Sequence, residues 1–450
     1  MMRPTYSGSI IFAEARLAFL TAILISLTAI SWAQTAPTSQ TQATPSLADS
    51  LKRVRTENTQ LHILYVHGMG ASGPGASASA DLRKSICKFL RDCITTEGEF
   101  DGTEYADRNH FALNAPPPDL KYLGQPLWKI DAGGVSEEWN ASAPYVDHYK
   151  LVRNGEPTIY LDEINWWPLV FAAKCRQIMA EDASLAGPNK TYLHTCSLPA
   201  QPDPDHQKNS GRFRTYPFIT NEQELNNLPA KGALLNRALK TFVLDWGFAD
   251  AVLAVGPMRS LLLEGMGQVV LKSVKVAADG SRGDAVTPAP NQEFVIVSHS
   301  LGSYLMFSAL DIQSDPDAPT PTKWRMDFDY VLSNTSKAYF LANQVRLLEL
   351  ANLDVAKNGN LITHLKTWSD RRRAAQKPVP QIVAWSDPSD LLTWSVPAFD
   401  PEIAKVRNET VKNAPHWFWF IENPSKAHTT YDQNGRVIKA MLPKKERDKK

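Results

Sequence analysis

Phe294-Val295-Ile296-Val297-Ser298-His299-Ser300-Leu301-Gly302-Ser303 decides how this 450-residue chain is read. Its first four residues are aromatic or β-branched, which suits a short strand buried on both faces. Residues 303–310 then carry helical spacing. Between strand and helix the chain turns sharply, and a serine at such a turn holds a strained backbone with its oxygen proud of the sheet. Small residues are needed two before and two after it, because strand and helix pass close together. Gly302 meets that need outright and Ser298 with a short side chain. The turn also sets Ser300 at a helix N-terminus, where backbone N–H groups and the dipole favour developing negative charge.

Outward from this turn, short apolar runs alternate with helical patterns. That is the pattern of an α/β protein with a mostly parallel central sheet flanked by helices. Residues 61–66 read as a buried strand ending at His67-Gly68-Met69-Gly70, and residues 81–93 as a helix. A second strand falls at 158–161, followed by a helix over 166–180 and a long amphipathic stretch over 234–276. Residues 328–333 and 381–385 read as strands with a helix over 337–353 between them. A final aromatic strand spans 416–422, and a helix follows at 437–441. The Pro- and Asp-rich segments 279–292 and 313–322 read as surface loops. The distance from Val66 to Ser298 exceeds what one crossover needs, so 99–229 is read as a large, cap-like insertion over or beside the sheet.

Ser298-His299-Ser300-Leu301-Gly302 after a Val/Ile strand resembles the nucleophile elbow of the α/β-hydrolase superfamily, especially its lipases and esterases. The similarity covers residues 61–70, 293–310, 381–391 and 416–431, not the insertion; Ser298 stands where that family usually has glycine. The resemblance implies the order serine, acid, histidine along the chain. The acid then falls in the loop after strand 381–385, at Asp390, with Asp387 as the alternative; both also suit plain turn chemistry. The histidine is His428, in a polar loop after the last strand, while His416 is assigned to packing among aromatics and His299 is a common neighbour in this elbow and not the base. One oxyanion donor is the backbone N–H of Leu301. The other comes from His67-Gly68-Met69-Gly70, from Met69 with Gly70 close behind.

A serine hydroxyl is a poor nucleophile at neutral pH, so His428 takes its proton during attack and later protonates the leaving group. Asp390 holds the imidazole tautomer and stabilises its charged form. The expectation is a serine hydrolase acting on small-molecule or lipid carboxylic esters, with no cofactor or metal, no nucleic acid and no protein partner, and with room for peripheral membrane contact.

Composition limits the alternatives. Lys and Arg number 48 against 47 Asp and Glu, without the basic excess of a nucleic-acid binder. No HExxH and no paired CxxC occurs among the histidines and cysteines. Gly68-x-Gly70-x-x-Gly73 also fits a dinucleotide fingerprint, but no second strand ends in the acidic residue that fingerprint requires. A nucleotide-dependent oxidoreductase therefore stands behind the hydrolase, as does a non-catalytic binding protein on the same scaffold.

Arg3, Arg16, the apolar run 17–30 and Ser31-Trp32-Ala33 read as a secretory signal cleaved after Ala33, with an uncleaved N-terminal anchor as the alternative. Residues 34–55 then read as a flexible linker, 56–440 as the catalytic domain and 441–450 as a basic tail. Cys87, Cys93, Cys175 and Cys196 suit two local disulfides in an exported protein, or four thiols otherwise. The insertion aromatics, Trp128, Trp139, Tyr145, Trp166, Trp167 and Phe171, suit core packing or an acyl-binding cap. Trp385, Trp394, Trp417 and Trp419 are assigned to sheet packing and Arg371-Arg372-Arg373 to a solvated helix end.

Overall fold

Gln60–Val66 (β1, QLHILYV) is buried at every position after Gln60. A strand with no solvent face belongs in the middle of a sheet covered on both sides. The computed structural model places it there. Residues 46–57, 60–69, 78–90, 94–95, 121–122, 125–126, 130–131, 134–135, 144–152, 159–167, 169–170, 249–256, 258–279, 292–314, 322–351, 359–413, 416–418, 421–422 and 424–442 are described.

The other sheet strands are β2 (Ile94–Thr95), β3 (Tyr145–Val152), β4 (Ile159–Asn165), β5 (Gln292–His299), β6 (Thr335–Leu341), β7 (Gln381–Ser386) and β8 (Lys405–Thr410). They lie in the order β8-β7-β6-β5-β1-β4-β3-β2. The six from β8 to β4 are parallel, β3 runs antiparallel to β4, and β2 antiparallel to β3. The described helices are α1 (Leu47–Glu57), α2 (Ala80–Leu90), α3 (Ala249–Val255), α4 (Arg259–Asp279), α5 (Leu301–Ser314), α6 (Thr322–Asn334), α7 (Val345–Glu349), α8 (Leu361–Ala374), α9 (Pro424–Thr429) and α10 (Gly435–Met441).

Successive strand residues point to opposite faces, and each face has its own core. Leu64, Val66, Phe294, Ile296, Phe340 and Ala384 pack with apolar residues of α4, α5, α6 and α8. Ile63, Tyr65, Val295, Val297, Tyr339 and Trp385 pack with Leu47 and Leu51 of α1, Leu82 and Ile86 of α2, Tyr431 and α10. Each fully buried apolar side chain stabilises by roughly 1.5–3 kcal/mol, so the two layers, not helix propensity, hold the sheet in place. Register then positions the chemistry. Ser298 lies opposite both Val66 and Phe340, and Phe340 opposite Ala384. The loops leaving β1, β5, β6 and β7 therefore emerge level, at one carboxyl edge.

Several expectations are corrected. Residues 328–333 are helical, within α6: Phe328, Val331 and Leu332 are buried at i, i+3 and i+4, one stripe of a helix. Residues 337–353 are not one helix but β6 followed by α7. Ala338 to Ala342 are all buried, so this run has no polar face to turn to water. The last sheet strand is β8, not 416–422. Lys405, Arg407 and Glu409 make β8 a charged edge strand, which blunts edge-to-edge pairing and hides the apolar signal. His416–Phe418 instead pairs with Ile421–Glu422 in a separate two-stranded ladder.

The end of the supposed linker is also structured. Leu47 and Leu51, one turn apart, are buried, and Ser50 and Arg53 bond the Glu293 carboxylate at the start of β5. Arg372 is not solvated: its guanidinium is buried and donates to the carbonyls of Pro378, Ser333 and Thr335. Trp385 is buried in the sheet, whereas Trp394 is 44% exposed. Segment 99–229 contributes β3 and β4 to the central sheet, and Trp166 joins the core.

The signal segment 1–33, residues 34–45, Cys93, Cys175, Cys196, the tail from 443 and most of 99–229 lie outside the described residues. Cys87 is disulfide-bonded, to a partner also outside them. Among the described residues, no helix is long and apolar enough to cross a membrane.

Candidate active site

β5 ends at His299 and α5 begins at Leu301, so Ser300 alone makes the turn. Its φ of 54° lies in the left-handed region, which costs a non-glycine residue about 1–2 kcal/mol. The surroundings hold it there. The Ser300 N–H donates to the Leu341 carbonyl of β6 at 2.8 Å, and the Ser303 N–H closes the first turn onto the Ser300 carbonyl at 3.1 Å. A Cβ at Gly302 would fall 2.5 Å from the His67 carbonyl oxygen and 2.8 Å from that of Val66. Only glycine lets α5 pass over the end of β1. Ser298 fits in its own way, its hydroxyl paired with that of Ser303 at 2.9 Å.

Ser300 Oγ lies 2.8 Å from His428 Nε2, on α9. His428 Nδ1 lies 2.9 Å from each carboxylate oxygen of Asp390, in the loop after β7. Nδ1 next to a carboxylate is the protonated nitrogen, which leaves the Nε2 lone pair facing the serine hydroxyl. All three residues are buried. A proton can pass from Ser300 to His428, and the imidazolium then formed faces Asp390. Asp387 is occupied otherwise: its carboxylate accepts the N–H of Ser389 at 2.8 Å and that of Asn413 at 2.5 Å. The turn residues predicted as alternatives thus separate into one carboxylate facing the imidazole and one holding the loop.

The loop after β1 approaches Ser300 from the other side. A Cβ at Gly68 would fall 2.7 Å from Ser300 Cβ and from His299 Nδ1. Trp166 Nε1 donates to the His67 carbonyl at 3.0 Å, and the two rings stack at 5.1 Å. His67 Nδ1 lies 2.8 Å from the Gly68 carbonyl, and burial holds its pKa below the usual range, so the ring is neutral. Met69 follows, half-buried against the core; Gly70 and Gly73 lie outside the described residues. Leu301 is the first residue of α5, where N–H groups lack intrahelical partners. On the hydrolase reading expected from the sequence, Gly68→Ala is expected to push the loop off Ser300 and lower kcat/KM by about 100-fold, with a modest loss of Tm. An unchanged kcat/KM in steady-state assays would contradict the close approach.

Two residues of the site escaped the sequence reading. His299 Nε2 lies 2.8 Å from the His428 carbonyl, so the strand-to-helix turn itself ties down the segment carrying His428. Burial, and then the adjacent His428 ring, push the His299 pKa down to about 3, so it remains a neutral donor. Tyr431 is fully buried, donates its hydroxyl to Asp390 Oδ2 at 3.1 Å and accepts the Asp387 N–H at 2.6 Å. Its spacing from His428 carried no signal, since a buried tyrosine three residues on is ordinary packing. The side chain of His416 lies outside the described residues.

Beside Tyr431, burial and then the Asp81 charge raise the Asp432 pKa to about 6. A carboxylate whose folded pKa is raised disfavours the fold once it ionises, so the penalty grows from pH 4 to pH 6 and persists above. Asp432→Asn is expected to stabilise by about 1–2 kcal/mol at pH 7 and by nothing near pH 3.5, allowing for partial exposure. Urea melts at both pH values check this; equal stabilisation at both would contradict it.

Among the described residues, no group of three His, Cys, Asp or Glu side chains is placed to hold a metal ion. No protein-family model matches the chain, and neither a curated protein nor a solved structure matches it.

Proposed function

We propose that this chain is an exported serine hydrolase of the α/β-hydrolase type that cleaves carboxylic esters through an acyl-enzyme. The observation that carries the reading is the unbroken line from Ser300 Oγ to His428 Nε2 and from His428 Nδ1 to Asp390, set on a strand-to-helix turn with positive φ. An ordinary core serine needs neither the strained turn nor a buried imidazole backed by a buried carboxylate.

In the mechanism, Ser300 Oγ bonds to the ester carbonyl carbon while its proton moves to His428 Nε2. The carbonyl π electrons move to oxygen, which the backbone N–H groups of Leu301 and Met69 receive. The intermediate collapses, the carbon–alkoxide bond breaks, and the alcohol leaves with the proton from His428. Water then adds to the acyl-enzyme, giving its proton to His428; collapse frees the carboxylic acid and returns the proton to Ser300 Oγ. Asp390 keeps Nδ1 protonated throughout and offsets the imidazolium charge. The glycine-to-serine departure at 298 leaves the turn formed, because the Ser298 hydroxyl is satisfied by Ser303. Export rests on residues 1–33 of the sequence.

The test is a panel of p-nitrophenyl esters of increasing acyl length, with matched thioesters and anilides, assayed on wild type and Ser300→Ala. Ser300-dependent release from oxygen esters is the expected result. Hydrolysis that persists in Ser300→Ala, or turnover confined to anilides, would overturn the ester reading.

A further inference from the structure

We infer that Tyr431 is a positioning residue for the catalytic acid: its hydroxyl locks the Asp390 carboxylate in line with His428 by bridging it to the backbone of the turn that carries it. This rests on the serine-hydrolase reading of Ser300, His428 and Asp390.

The geometry is a closed frame. The Asp390 carboxylate receives His428 Nδ1–H, the Leu392 N–H at 3.0 Å on Oδ1 and the Tyr431 hydroxyl at 3.1 Å on Oδ2. The phenol oxygen in turn accepts the Asp387 N–H at 2.6 Å, from the first residue of the turn in which Asp390 stands. Within that turn the Asp390 N–H closes onto the Asp387 carbonyl at 3.0 Å. Tyr431 stands three residues beyond His428, so one short segment supplies both the base and the group that fixes its acid. The phenol is well placed as a lasting donor: burial first, and then the Asp390 charge, push its pKa far above the usual range. A carboxylate with three donors cannot swing away from the imidazole, and each donor spreads its charge.

Two consequences separate this role from packing. Loss of the hydroxyl frees the carboxylate to rotate, which slows attack by Ser300. It also leaves the carboxylate charge less compensated, which favours the imidazolium and moves the acidic limb of the reaction to higher pH. Among the described residues, Asp387 stands on the same turn as Asp390, His299 at the end of β5 meets the His428 ring, and Tyr431 meets Asp390, while His67 acts on His299. Asp432 is next in sequence and titrates near 6, within the range to be measured.

The experiment is the rate of fluorophosphonate modification of Ser300 against pH, for Tyr431 and Tyr431→Phe, both in an Asp432→Asn background. The expected result is a rate lower by about 10- to 100-fold, matching the loss of one hydrogen bond to a charged group. The acidic limb should also move up by about half to one pH unit. An unchanged limb with a folded protein overturns the proposal, whatever the rate. Should Tyr431→Phe fail to fold, 3-fluorotyrosine at position 431 keeps the ring and strengthens the donor, and the limb should then move down; no movement overturns the proposal. A wild-type protein that never reacts overturns the serine-hydrolase reading, and this proposal with it. Modification of wild type with no effect of position 431 overturns this proposal alone.

Discussion

On the proposed serine-hydrolase function, Ser300→Ala is expected to leave a folded protein whose ester turnover is lower by about 10⁴- to 10⁶-fold. The fold survives because the elbow is held by the backbone: the Ser300 N–H on Leu341 and the Ser303 N–H on Ser300 do not involve the hydroxyl. Alanine keeps the Cβ and adds no new contact. Among the described residues, the side-chain bond lost is the one to His428 Nε2. His428→Ala should cost a similar factor, because nucleophile and base act as one unit and removing either stops the step. It should also cost stability, since the Asp390 carboxylate is buried and would lose its imidazole partner. Turnover measured beside Tm separates the two variants. A Ser300→Ala protein within tenfold of wild type would contradict the assignment of the nucleophile.

The second large effect distinguishes the two carboxylates of one turn. Asp390→Asn should lower kcat by about 10⁴-fold, because an amide facing Nδ1 favours the wrong imidazole tautomer and cannot offset the imidazolium charge. Asp387→Asn should leave kcat within about tenfold but lower stability by about 1–3 kcal/mol. The amide nitrogen cannot accept one of the two N–H groups that the carboxylate now satisfies, from Ser389 and Asn413. Paired kinetics and urea melts of the two variants check this. The reverse pattern, with Asp387→Asn inactive and Asp390→Asn near normal, would exchange their roles.

What could be read from the residues alone follows physical lines. β1, β5 and β7 were legible because each carries a short unbroken apolar run, at 63–66, 294–297 and 382–385. The elbow was legible because Gly302 answers a steric need that no other residue meets there. Swapped identities at α6 and β6 came from the apolar runs on each side of Asn334. Apolar runs this short satisfy a strand and a buried helix alike, and only the neighbours they pack against decide. β8 was invisible because edge strands are made polar on purpose. α1 was hidden beneath a Gln-, Thr- and Pro-rich approach, although Leu47 and Leu51 already stood one turn apart.

At the site, chain order pointed to Ser300, Asp390 and His428, and the level strand ends bring them within hydrogen-bond reach. Spacing favoured Asp390 and kept Asp387 as the alternative, since both sit in one good turn; the positions of His428 and Asn413 distinguish them. Tyr431 and the tether from His299 could not be read at all. Both depend on α9 folding back over the end of β5, which is tertiary information.

The most direct measurement is intact-mass analysis of wild type and Ser300→Ala after exposure to a fluorophosphonate, followed by peptide mapping. One adduct per chain, on Ser300, absent from the alanine variant and slowed by His428→Ala, is the predicted result. A folded wild-type protein that gains no mass, or gains it equally in Ser300→Ala, would contradict an activated serine at the β5 turn.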